Sequence, residues 1–511
     1  MSFDMNKNIP ALRTPGIDRL SGQRPLLLLF LALVGLPRAH AVDKPLNFVF
    51  IMADDLGQRD LGCYGSTFYE TPHLDALAAS GVRFTSAYAA CPVCSPTRSS
   101  FQSGKYPART TNTDFFGGPQ PDAAALMPRF ENRKLLPAPY LDRLPHDELT
   151  IAEALNEAGY ATFFAGKWHL GGKGFMPEHQ GYDENQGGNS AGHPKSYFSP
   201  YQNPQLKDGP PVEHLDIRLA SEAARFINEH REQPFFVCFC PYEVHVPLQT
   251  SDELKRKYRD KARLNIAPEP HFGREGASDV RLVQNHPVYA GMMETMDAAV
   301  GTVLAALEES GVADHTAVVF TSDNGGLSTA EGAPTSNVPL RAGKGWMYEG
   351  GLRVPLLVRW PGETEPGATC DQYLISTDYY PTMLEMANLP PRPEQHGDGK
   401  SFAPLLQGNT EFERGPIFWH YPHYGNQGGQ PAAAIRDGDW KLIEFFEDGR
   451  TELYNLTSDL SEQHDLSQTE PDRTATMQRQ LHQWQRSVDA VFPSPNPNFT
   501  VQRKVPNGAK P

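Results

Sequence analysis

The chain has no excess of positive charge. Its 511 residues include 46 Lys and Arg against 61 Asp and Glu, which gives a formal net charge of −15 at pH 7. Nucleic-acid-binding domains present a basic stripe to the phosphate backbone, so this composition argues against a nucleic-acid partner. An acidic protein that acts on an anionic substrate must build positive potential locally. We therefore expect the functional cations to cluster in one pocket.

Long hydrophobic runs are also scarce. The most apolar run covers residues 26–36; basic residues precede it, and the small-x-small sequence at 39–41 follows it. It is too short for a comfortable membrane span, and its order of basic segment, apolar segment and cleavage site is typical of an export signal. We predict a signal peptide over residues 1–41, a mature protein that is periplasmic or secreted, and no stable membrane insertion.

Cysteine is sparse as well, with six in the whole chain. Disulfides are permitted in an exported protein, and the sequence leaves their pairing open. Cys238 and Cys240 lie two residues apart in an apolar run, so on a strand they share one face. We interpret this pair as core packing rather than as metal ligands.

The distribution of apolar residues favours a loop-rich α/β enzyme. Gly (44) and Pro (46) are abundant, and the length allows two or more domains. Four apolar runs typical of buried strands occupy residues 46–52, 160–165, 233–240 and 316–321. Helical periodicity lies between them, at residues 71–81, 149–158, 217–229 and 289–310. This alternation predicts a large, mostly parallel, doubly wound sheet flanked by helices.

Side chains with catalytic or ligand chemistry follow each of the four runs. Ligand groups collect beyond the carboxyl ends of parallel strands, so we expect these residues to meet at one edge of the sheet. They are Asp54, Asp55, Lys167, His169, His245, Asp323 and Asn324. The oxygen donors Asp54, Asp55, Asp323 and Asn324 suit a hard divalent cation, with Ca²⁺ preferred and Mg²⁺ second.

The segment at residues 91–105 reads CPVCSPTRSSFQSGK. It predicts a loop that enters a helix at Pro96 and leaves it at Gly104. Cys94 then lies at a helix N-terminus, where free backbone N–H groups favour an anion or an ionised nucleophile.

The string CSPTR, followed by SSFQSGKYPAR, resembles the signature of the type I, formylglycine-dependent sulfatases of the alkaline phosphatase superfamily. The resemblance is arylsulfatase-like and covers most of residues 45–500. It implies an alkaline-phosphatase-like fold and the conversion of Cys94 to formylglycine (3-oxoalanine) by a formylglycine-generating maturation enzyme. The nucleophile would then be the hydrated aldehyde. Lys344 matches the lysine that precedes the family's E-G-G-x-R-V-P segment, with Arg341 beside it.

The resemblance also implies a role for each matched residue. Arg98 would hold the geminal diol, Asp323 would take the proton of the attacking hydroxyl, and Lys167 and Lys344 would bind sulfate oxygens. His245 would contact the substrate and protonate the leaving oxygen, and His169 would deprotonate the second hydroxyl. The cation would be ligated by Asp54, Asp55, Asp323, Asn324 and the modified residue Cys94.

Two further regions carry weaker signals. The loop-rich stretch at 171–212 offers His179, His193, Lys195 and Tyr197 as candidates for holding a substrate. Beyond about residue 410, short strand patterns separated by turns predict an antiparallel meander, with a helix near 470–490. We therefore predict a catalytic domain over 42–410 and a small C-terminal α+β subdomain over 411–511. The loop at 421–427 fits either the mouth of the site or a plain surface.

Together these features predict an exported sulfatase that hydrolyses a sulfate ester, and the substrate we expect is a sulfated carbohydrate. One alternative is a formylglycine-dependent phosphonate or phosphodiester hydrolase, since the same fold and metal set serve such enzymes. Another is an inactive protein that binds sulfated glycans with an unmodified Cys94.

Overall fold

A computed structural model describes residues 44–264 and 269–499. The predicted signal peptide lies outside the described residues. From residue 45 onward they belong to one compact unit, and the subdomain boundary near residue 410 stays a prediction.

The described residues form seventeen strands. They are β1 (Asn47–Ala53), β2 (Val82–Tyr88), β3 (Leu135–Leu136), β4 (Ala161–Gly166), β5 (Glu184–Gln186), β6 (Phe235–Cys240), β7 (Phe272–Glu275), β8 (Ser278–Arg281), β9 (Thr316–Ser322), β10 (Arg353–Arg359), β11 (Ala368–Cys370), β12 (Leu374–Ile375), β13 (Ile417–Tyr421), β14 (Ala432–Asp437), β15 (Trp440–Phe445), β16 (Thr451–Asn455) and β17 (Ser494–Pro495).

Twelve α-helices lie in the same described ranges. They are α1 (Pro72–Ser80), α2 (Cys94–Ser103), α3 (Pro107–Thr110), α4 (Pro121–Ala124), α5 (Ile151–Glu157), α6 (Leu215–Glu229), α7 (Asp252–Leu264), α8 (Pro287–Glu309), α9 (Glu349–Leu352), α10 (Tyr379–Met386), α11 (Ala403–Leu406) and α12 (Pro471–Ser487).

The largest sheet has nine strands in the order β11-β2-β10-β9-β1-β6-β4-β5, with β12 also paired to β2. The four predicted strands are its central neighbours β9, β1, β6 and β4, and all three pairings among them are parallel. The prediction of a large, mostly parallel sheet is therefore confirmed. Strand β10 is the exception, because it runs antiparallel to both β9 and β2.

Both faces of this sheet are covered, which explains the continuous apolar runs. In β1, Val49 and Ile51 pack into one core with helices α1, α6 and α8. Phe48 and Phe50 point to the opposite face and pack with helices α2, α5, α10 and α11. Each such buried side chain contributes about 1.5–3 kcal/mol relative to an exposed one.

The C-terminal part forms a four-stranded antiparallel meander, β13-β14-β15-β16, with helix α12 packed on it. This arrangement confirms the predicted α+β architecture. The meander packs against the segment that leads into α2, since Trp419 shares a core with Cys91 and Val93. The Trp419 indole also donates to the Ala89 carbonyl oxygen at 2.8 Å.

The six cysteines all carry free thiols. Cys238 and Cys240 lie on one face of β6, with their sulfur atoms 3.7 Å apart in the core, which confirms their interpretation as packing residues. Within the described ranges, no helix is long and apolar enough to cross a membrane.

Candidate active site

The ends of β1 and β9 bring four oxygen-bearing side chains together. Ala53 pairs with Ser322 in the parallel register, so the residues that follow each strand become neighbours. The Asp55 backbone N–H donates to Asp323 Oδ1 at 3.2 Å. The Asn324 amide donates to Asp55 Oδ1 at 2.9 Å. These two contacts fix the predicted carboxylates at one edge of the sheet.

The end of β4 adds the first lysine. Gly166 pairs with Cys240 of β6 and has φ +105°, and a Cβ atom there would lie 1.9 Å from the Cys240 carbonyl oxygen. Glycine is therefore required for this close approach. The next residue, Lys167, is fully buried, and its Nζ lies 2.7 Å from both Oδ1 and Oδ2 of Asp54.

Helix α2 presents Cys94 and Arg98 on adjacent turns. The helix begins at Cys94, two residues earlier than the Pro96 start that the sequence predicted, and Gly104 ends it in the left-handed conformation. Side chains four residues apart share one helix face. Arg98 donates through Nε to Asp323 Oδ2 at 2.8 Å and through Nη1 to the Lys167 carbonyl oxygen at 2.8 Å.

Lys344 and His245 complete the cluster from two loops. The Lys344 Nζ lies 2.7 Å from Asp55 Oδ2 and 3.1 Å from His245 Nε2. The other ring nitrogen of His245 lies 2.9 Å from the Val246 carbonyl oxygen. With Nδ1–H donating to that carbonyl, Nε2 is left to accept from the lysine.

His169 lies at the cavity with one ring nitrogen unpaired. Its Nε2 lies 2.9 Å from the Phe116 carbonyl oxygen, while Nδ1 is buried and has no hydrogen-bond partner within the described residues. Burial, reinforced by Lys167, holds the pKa of His169 well below its usual range. A neutral ring that donates from Nε2 leaves Nδ1 as a free proton acceptor.

Each of the ten predicted site residues is at most 8% exposed. Burial acts to raise the pKa of Asp323, but Arg98 and Lys167 outweigh it, so that pKa is lowered. Burial acts to lower the pKa of Lys344, but Asp55 outweighs it, and that pKa lies well above its ordinary value. The site therefore keeps Asp323 and Lys344 charged in a water-poor environment. Asp54 differs, because burial, reinforced by Asp323, raises its pKa well above the ordinary value although Lys167 acts in the opposite direction.

The donor set fits a divalent cation. Ligand atoms of Asp54, Asp55, Cys94 and His245 lie within 4.8 Å of one another. The Asn324 Oδ1 atom is buried beside them without a hydrogen-bond donor in the described part of the chain. A buried carbonyl oxygen without a donor is costly, and a hard cation satisfies it. Asp323, another predicted ligand, is not one of those four residues, but its Oδ1 atom accepts a hydrogen bond from the Asp55 backbone N–H.

A cavity of about 530 Å³ opens above this cluster. Its lining includes Cys94, His169, His245 and Lys344 from the predicted site. It also includes His193, whose ring lies parallel to that of His245 with centroids 6.0 Å apart.

The other three candidates from the 171–212 stretch do not line this cavity. His179 and Lys195 are exposed elsewhere. Tyr197 is fully buried, and its hydroxyl donates to the Tyr242 and His245 carbonyl oxygens at 2.6 and 2.8 Å. Tyr197 therefore supports the His245 loop, because its hydroxyl hydrogen bonds are directed at the backbone.

The cavity wall also contains residues that sequence reasoning did not assign. Phe115, Phe116 and Glu331 belong to irregular segments without a periodic or strand-end signal. Asn426 and Gln427 also line it, so the 421–427 loop reaches the mouth of the site. The amides of both residues donate to Glu331 Oε1, at 2.8 and 3.1 Å.

Comparison with known protein families identifies the family to which this chain belongs. The family model described as Sulfatase matches residues 46–389, which carry all ten predicted site residues. The chain belongs to the sulfatase family. A second model, described as N-sulphoglucosamine sulphohydrolase, C-terminal, matches residues 342–489 of this sulfatase. As a member of the family it is a sulfuric ester hydrolase.

Curated relatives extend over most of the sulfatase. A sulfatase of Formosa agariphila is 32% identical over 527 residues, covering 88% of this chain and 90% of the relative. Human arylsulfatase A is 32% identical over 452 residues, covering 82% and 78% respectively. Rat N-acetylgalactosamine-6-sulfatase is 32% identical over 431 residues, covering 77% and 72%.

Solved structures show the same fold as the sulfatase. The crystal structure of Ps i-CgsB superposes with a TM-score of 0.70 at 28% identity, covering 89% of this chain and 95% of that one. A crystal structure of Ps i-CgsB in complex with k-i-k-neocarrahexaose matches equally well. The predicted alkaline-phosphatase-like fold is thereby confirmed.

Proposed function

We propose that this sulfatase is exported and removes sulfate from a sulfated carbohydrate. In this proposal Cys94 is converted to formylglycine by a maturation enzyme, and a divalent cation, Ca²⁺ before Mg²⁺, binds at the end of β1. The relatives support a sugar substrate, since they include an N-acetylgalactosamine-6-sulfatase and a protein crystallised with a neocarrahexaose. The apolar segment at residues 26–36 supports export.

One observation carries the proposal: three buried cations converge around Cys94 in a protein of net charge −15. Arg98 lies one helical turn from Cys94, and Lys344 lines the same cavity. Lys167 joins them through its contact with Asp54. A concentration of positive charge in an acidic protein matches a substrate that carries a sulfate group.

The residues that would hold the cation are Asp54, Asp55, Asp323, Asn324 and the modified side chain at position 94. When bound, the cation would supply positive charge to sulfate oxygens and formylglycine would supply a geminal diol as nucleophile.

Arg98 and the two lysines provide fixed positive charge. The Arg98 guanidinium, held by Asp323 and the Lys167 carbonyl, orients the side chain at position 94. Lys167 and Lys344 bind the sulfate oxygens, whose negative charge the buried ammonium groups stabilise. Asp323 accepts a proton from the attacking group through a carboxylate that Arg98 keeps ionised.

The two histidines transfer protons in two different steps of the proposed reaction. His245 Nε2 accepts from the Lys344 ammonium at 3.1 Å, so it would act as the acid by taking a proton from that ammonium and passing it to the departing alcohol oxygen. His169 keeps Nδ1 free of any partner in the described structure. We propose that this atom removes a proton from position 94 and so prepares sulfate release; the lining of one cavity by both residues supports this role.

The proposal is tested on protein co-expressed with a formylglycine-generating enzyme. We expect mass spectrometry to detect the aldehyde in the Cys94 peptide and the matured protein to hydrolyse 4-nitrophenyl sulfate. Cys94→Ala should abolish turnover while retaining the folded state. Faster turnover of 4-nitrophenyl phosphate or of a phosphonate ester would instead assign a phosphorus substrate. An unmodified Cys94 with glycan binding alone would indicate the inactive binding protein.

The carbohydrate and export parts need separate measurements. A panel of defined sulfated mono- and oligosaccharides should include at least one that is desulfated, and activity on aryl sulfates alone would contradict a sugar substrate. Expression of the full chain in a Gram-negative host should yield protein in the periplasm or medium whose N-terminus lies near residue 42. Retention of residues 1–41 in the cytoplasm would contradict export.

A further inference from the structure

A second cavity, which we call the arginine cleft, adjoins the active-site cavity. It encloses about 620 Å³. Asn426 lines both cavities, while its neighbour Gln427 faces the active site and Gly428 faces the cleft. The loop at 424–428 is thus a shared wall. The side chains that define the cleft are Arg129, Arg133, Arg341, Arg450, Trp346 and Tyr424.

The carboxylates of the cleft are already engaged. Glu275 accepts from Arg341 through both of its oxygens, at 2.9 and 2.8 Å. Glu452 accepts from the hydroxyls of Tyr348 and Tyr454, each at 2.8 Å. Glu452 also pairs with Arg450 Nε at 3.5 Å, and neither glutamate forms an ion pair with Arg129 or Arg133 in the described residues.

Arg129 and Arg133 are the cleft arginines that form no ion pair in the described part of the chain, although Arg129 acts electrostatically on the buried carboxyl group of Asp114. Within residues 44–264 and 269–499, neither guanidinium pairs with a carboxylate. The Arg133 guanidinium carbon lies 4.6 Å from the centre of the Tyr424 ring, and that of Arg129 lies 5.5 Å from the Phe130 ring. A guanidinium that rests on a ring face keeps its N–H edge free for an oxyanion.

The backbone that carries these arginines is held in place. Asn496 Nδ2 donates to the carbonyl oxygens of Phe130 and Arg133, both at 2.9 Å. Phe130 is itself buried in a small core with Ala124 and Leu136. Because the segment is anchored at both points, binding a ligand there does not require ordering of the backbone.

The cleft also offers a fixed aromatic surface. Trp346 donates through its indole N–H to the Gln427 carbonyl oxygen at 3.0 Å and to Thr329 Oγ1 at 3.2 Å. It lies two residues after Lys344 of the active site, so its loop joins the two cavities. Only 8% of Trp346 is exposed, so it adds a small, fixed apolar contact to the wall of the cleft.

We propose that the arginine cleft binds a second oxyanion, a sulfate or a uronate carboxylate, on a sugar unit next to the one whose sulfate ester is hydrolysed. This inference rests on the proposed function. Arg129 and Arg133 bind that oxyanion through charge-assisted hydrogen bonds. The sulfatase is accordingly selective for anionic oligosaccharides over single sulfated sugars.

The test is a binding titration of the full chain with unmodified Cys94, which cannot turn over the ligand by the proposed chemistry. The probes are a sulfated ι-carrageenan hexasaccharide, a carboxylated polygalacturonate hexasaccharide and neutral maltohexaose. The variants are Arg129→Gln with Arg133→Gln, and the matched control is Arg231→Gln. Arg231 is an exposed arginine that precedes β6 at the opposite end of the strands from the site. Thermal unfolding confirms that each variant is folded.

We expect wild type and Arg231→Gln to bind a charged hexasaccharide alike, and the double variant to bind it about tenfold more weakly. Preference for the sulfated or the carboxylated probe identifies which oxyanion the cleft accepts. Equal affinity of the double variant and wild type, equal affinity for maltohexaose, or no binding of either charged probe would overturn the inference. Turnover of 4-nitrophenyl sulfate by matured protein tests the proposed function alone, so the two failures are distinguishable.

Discussion

The Lys167 ammonium lies 2.7 Å from both carboxylate oxygens of Asp54, and neither side chain is exposed to solvent. A buried ion pair offsets its desolvation only with close geometry and additional charge partners. Asp55 forms the equivalent contact with Lys344, so the two adjacent aspartates are each paired with a lysine. The residues proposed to bind the cation and the lysines proposed to bind sulfate are therefore paired with each other.

A first prediction concerns cation binding. Since the clustered oxygen donors suit a hard cation, Ca²⁺ should raise the melting temperature of the sulfatase, and a chelator should lower it again. A cation present at 100 times its dissociation constant stabilises the fold by about 2.7 kcal/mol. Asn324→Ala should reduce the Ca²⁺-induced shift, whereas Asp448→Asn, an exposed carboxylate change, should leave it intact. An equal shift in both variants would place the cation elsewhere.

A second prediction concerns the acid. His245 would protonate the departing oxygen, and a good leaving group needs that proton far less than a poor one. His245→Gln should therefore reduce kcat/KM by about 100-fold or more on a sugar or alkyl sulfate, and much less on 4-nitrophenyl sulfate. Steady-state kinetics on the two substrates measures the difference. Equal losses on both would indicate that His245 only binds sulfate.

A third prediction concerns the close approach that positions Lys167. At Gly166, an added Cβ would meet the Cys240 carbonyl oxygen at 1.9 Å, so Gly166→Ala must displace β4 from β6. Gly174 also has positive φ, +85°, but no atom lies within 4 Å of an added Cβ. Gly174→Ala should cost only the left-handed strain of roughly 1–2 kcal/mol.

The two glycine variants separate steric clash from backbone strain. Gly166→Ala should lose activity and unfold at markedly lower denaturant concentration than Gly174→Ala. Comparable unfolding midpoints would show that the contact with Cys240 is easily relieved.

The sequence predicted the site residues that follow strands. Asp54, Lys167 and Asp323 could be assigned because each directly follows an apolar run, and parallel pairing brings such positions together. Lys344 lies on a loop between β9 and β10, so its assignment depended on the family resemblance. Glu331 was not assigned, because its position depends on contacts with Asn426 and Gln427, almost a hundred residues later.

The large sheet also contains a strand that local sequence patterns did not predict. Strand β10 begins at Arg353, within the E-G-G-x-R-V-P segment, and is not among the predicted strands. Its antiparallel pairing with both β2 and β9 is determined by tertiary packing, which the local sequence pattern does not predict. The helix start at Cys94 differs from the predicted Pro96 because proline is tolerated anywhere in the first turn.

A fourth prediction concerns the buried network between the two sheets. Lys441 of β15 lies 2.9 Å from both Glu349 and Glu462, and all three side chains are fully buried. Removal of Lys441 leaves Glu462 without its ion-pair partner, whereas Glu349 keeps Arg353 at 3.3 Å, and breaking such a buried pair costs about 3–5 kcal/mol. Lys441→Met should therefore lower the free energy of unfolding by that amount in denaturant titrations. The exposed control Lys173→Met should change it by less than about 0.5 kcal/mol.

A fifth prediction concerns pH and stability. Burial lowers the pKa of His420 from an ordinary 6.5 to about 4, although the hydrogen bond with the Val491 carbonyl acts in the opposite direction. Between these values the unfolded chain binds a proton that the folded chain excludes. The contribution of His420 to the free energy of unfolding is thus complete above pH 6.5 and is lost as the pH falls towards 4.

The expected loss is about 1.4 kcal/mol per pH unit across that interval. His420→Gln removes the titrating group, so the free energy of unfolding of the variant should fall less steeply than that of wild type between pH 6.5 and pH 4. His464→Gln changes a histidine that is 81% exposed and should keep the wild-type slope. If His420→Gln also keeps that slope, His420 is protonated in the folded protein and another buried group governs the acid sensitivity.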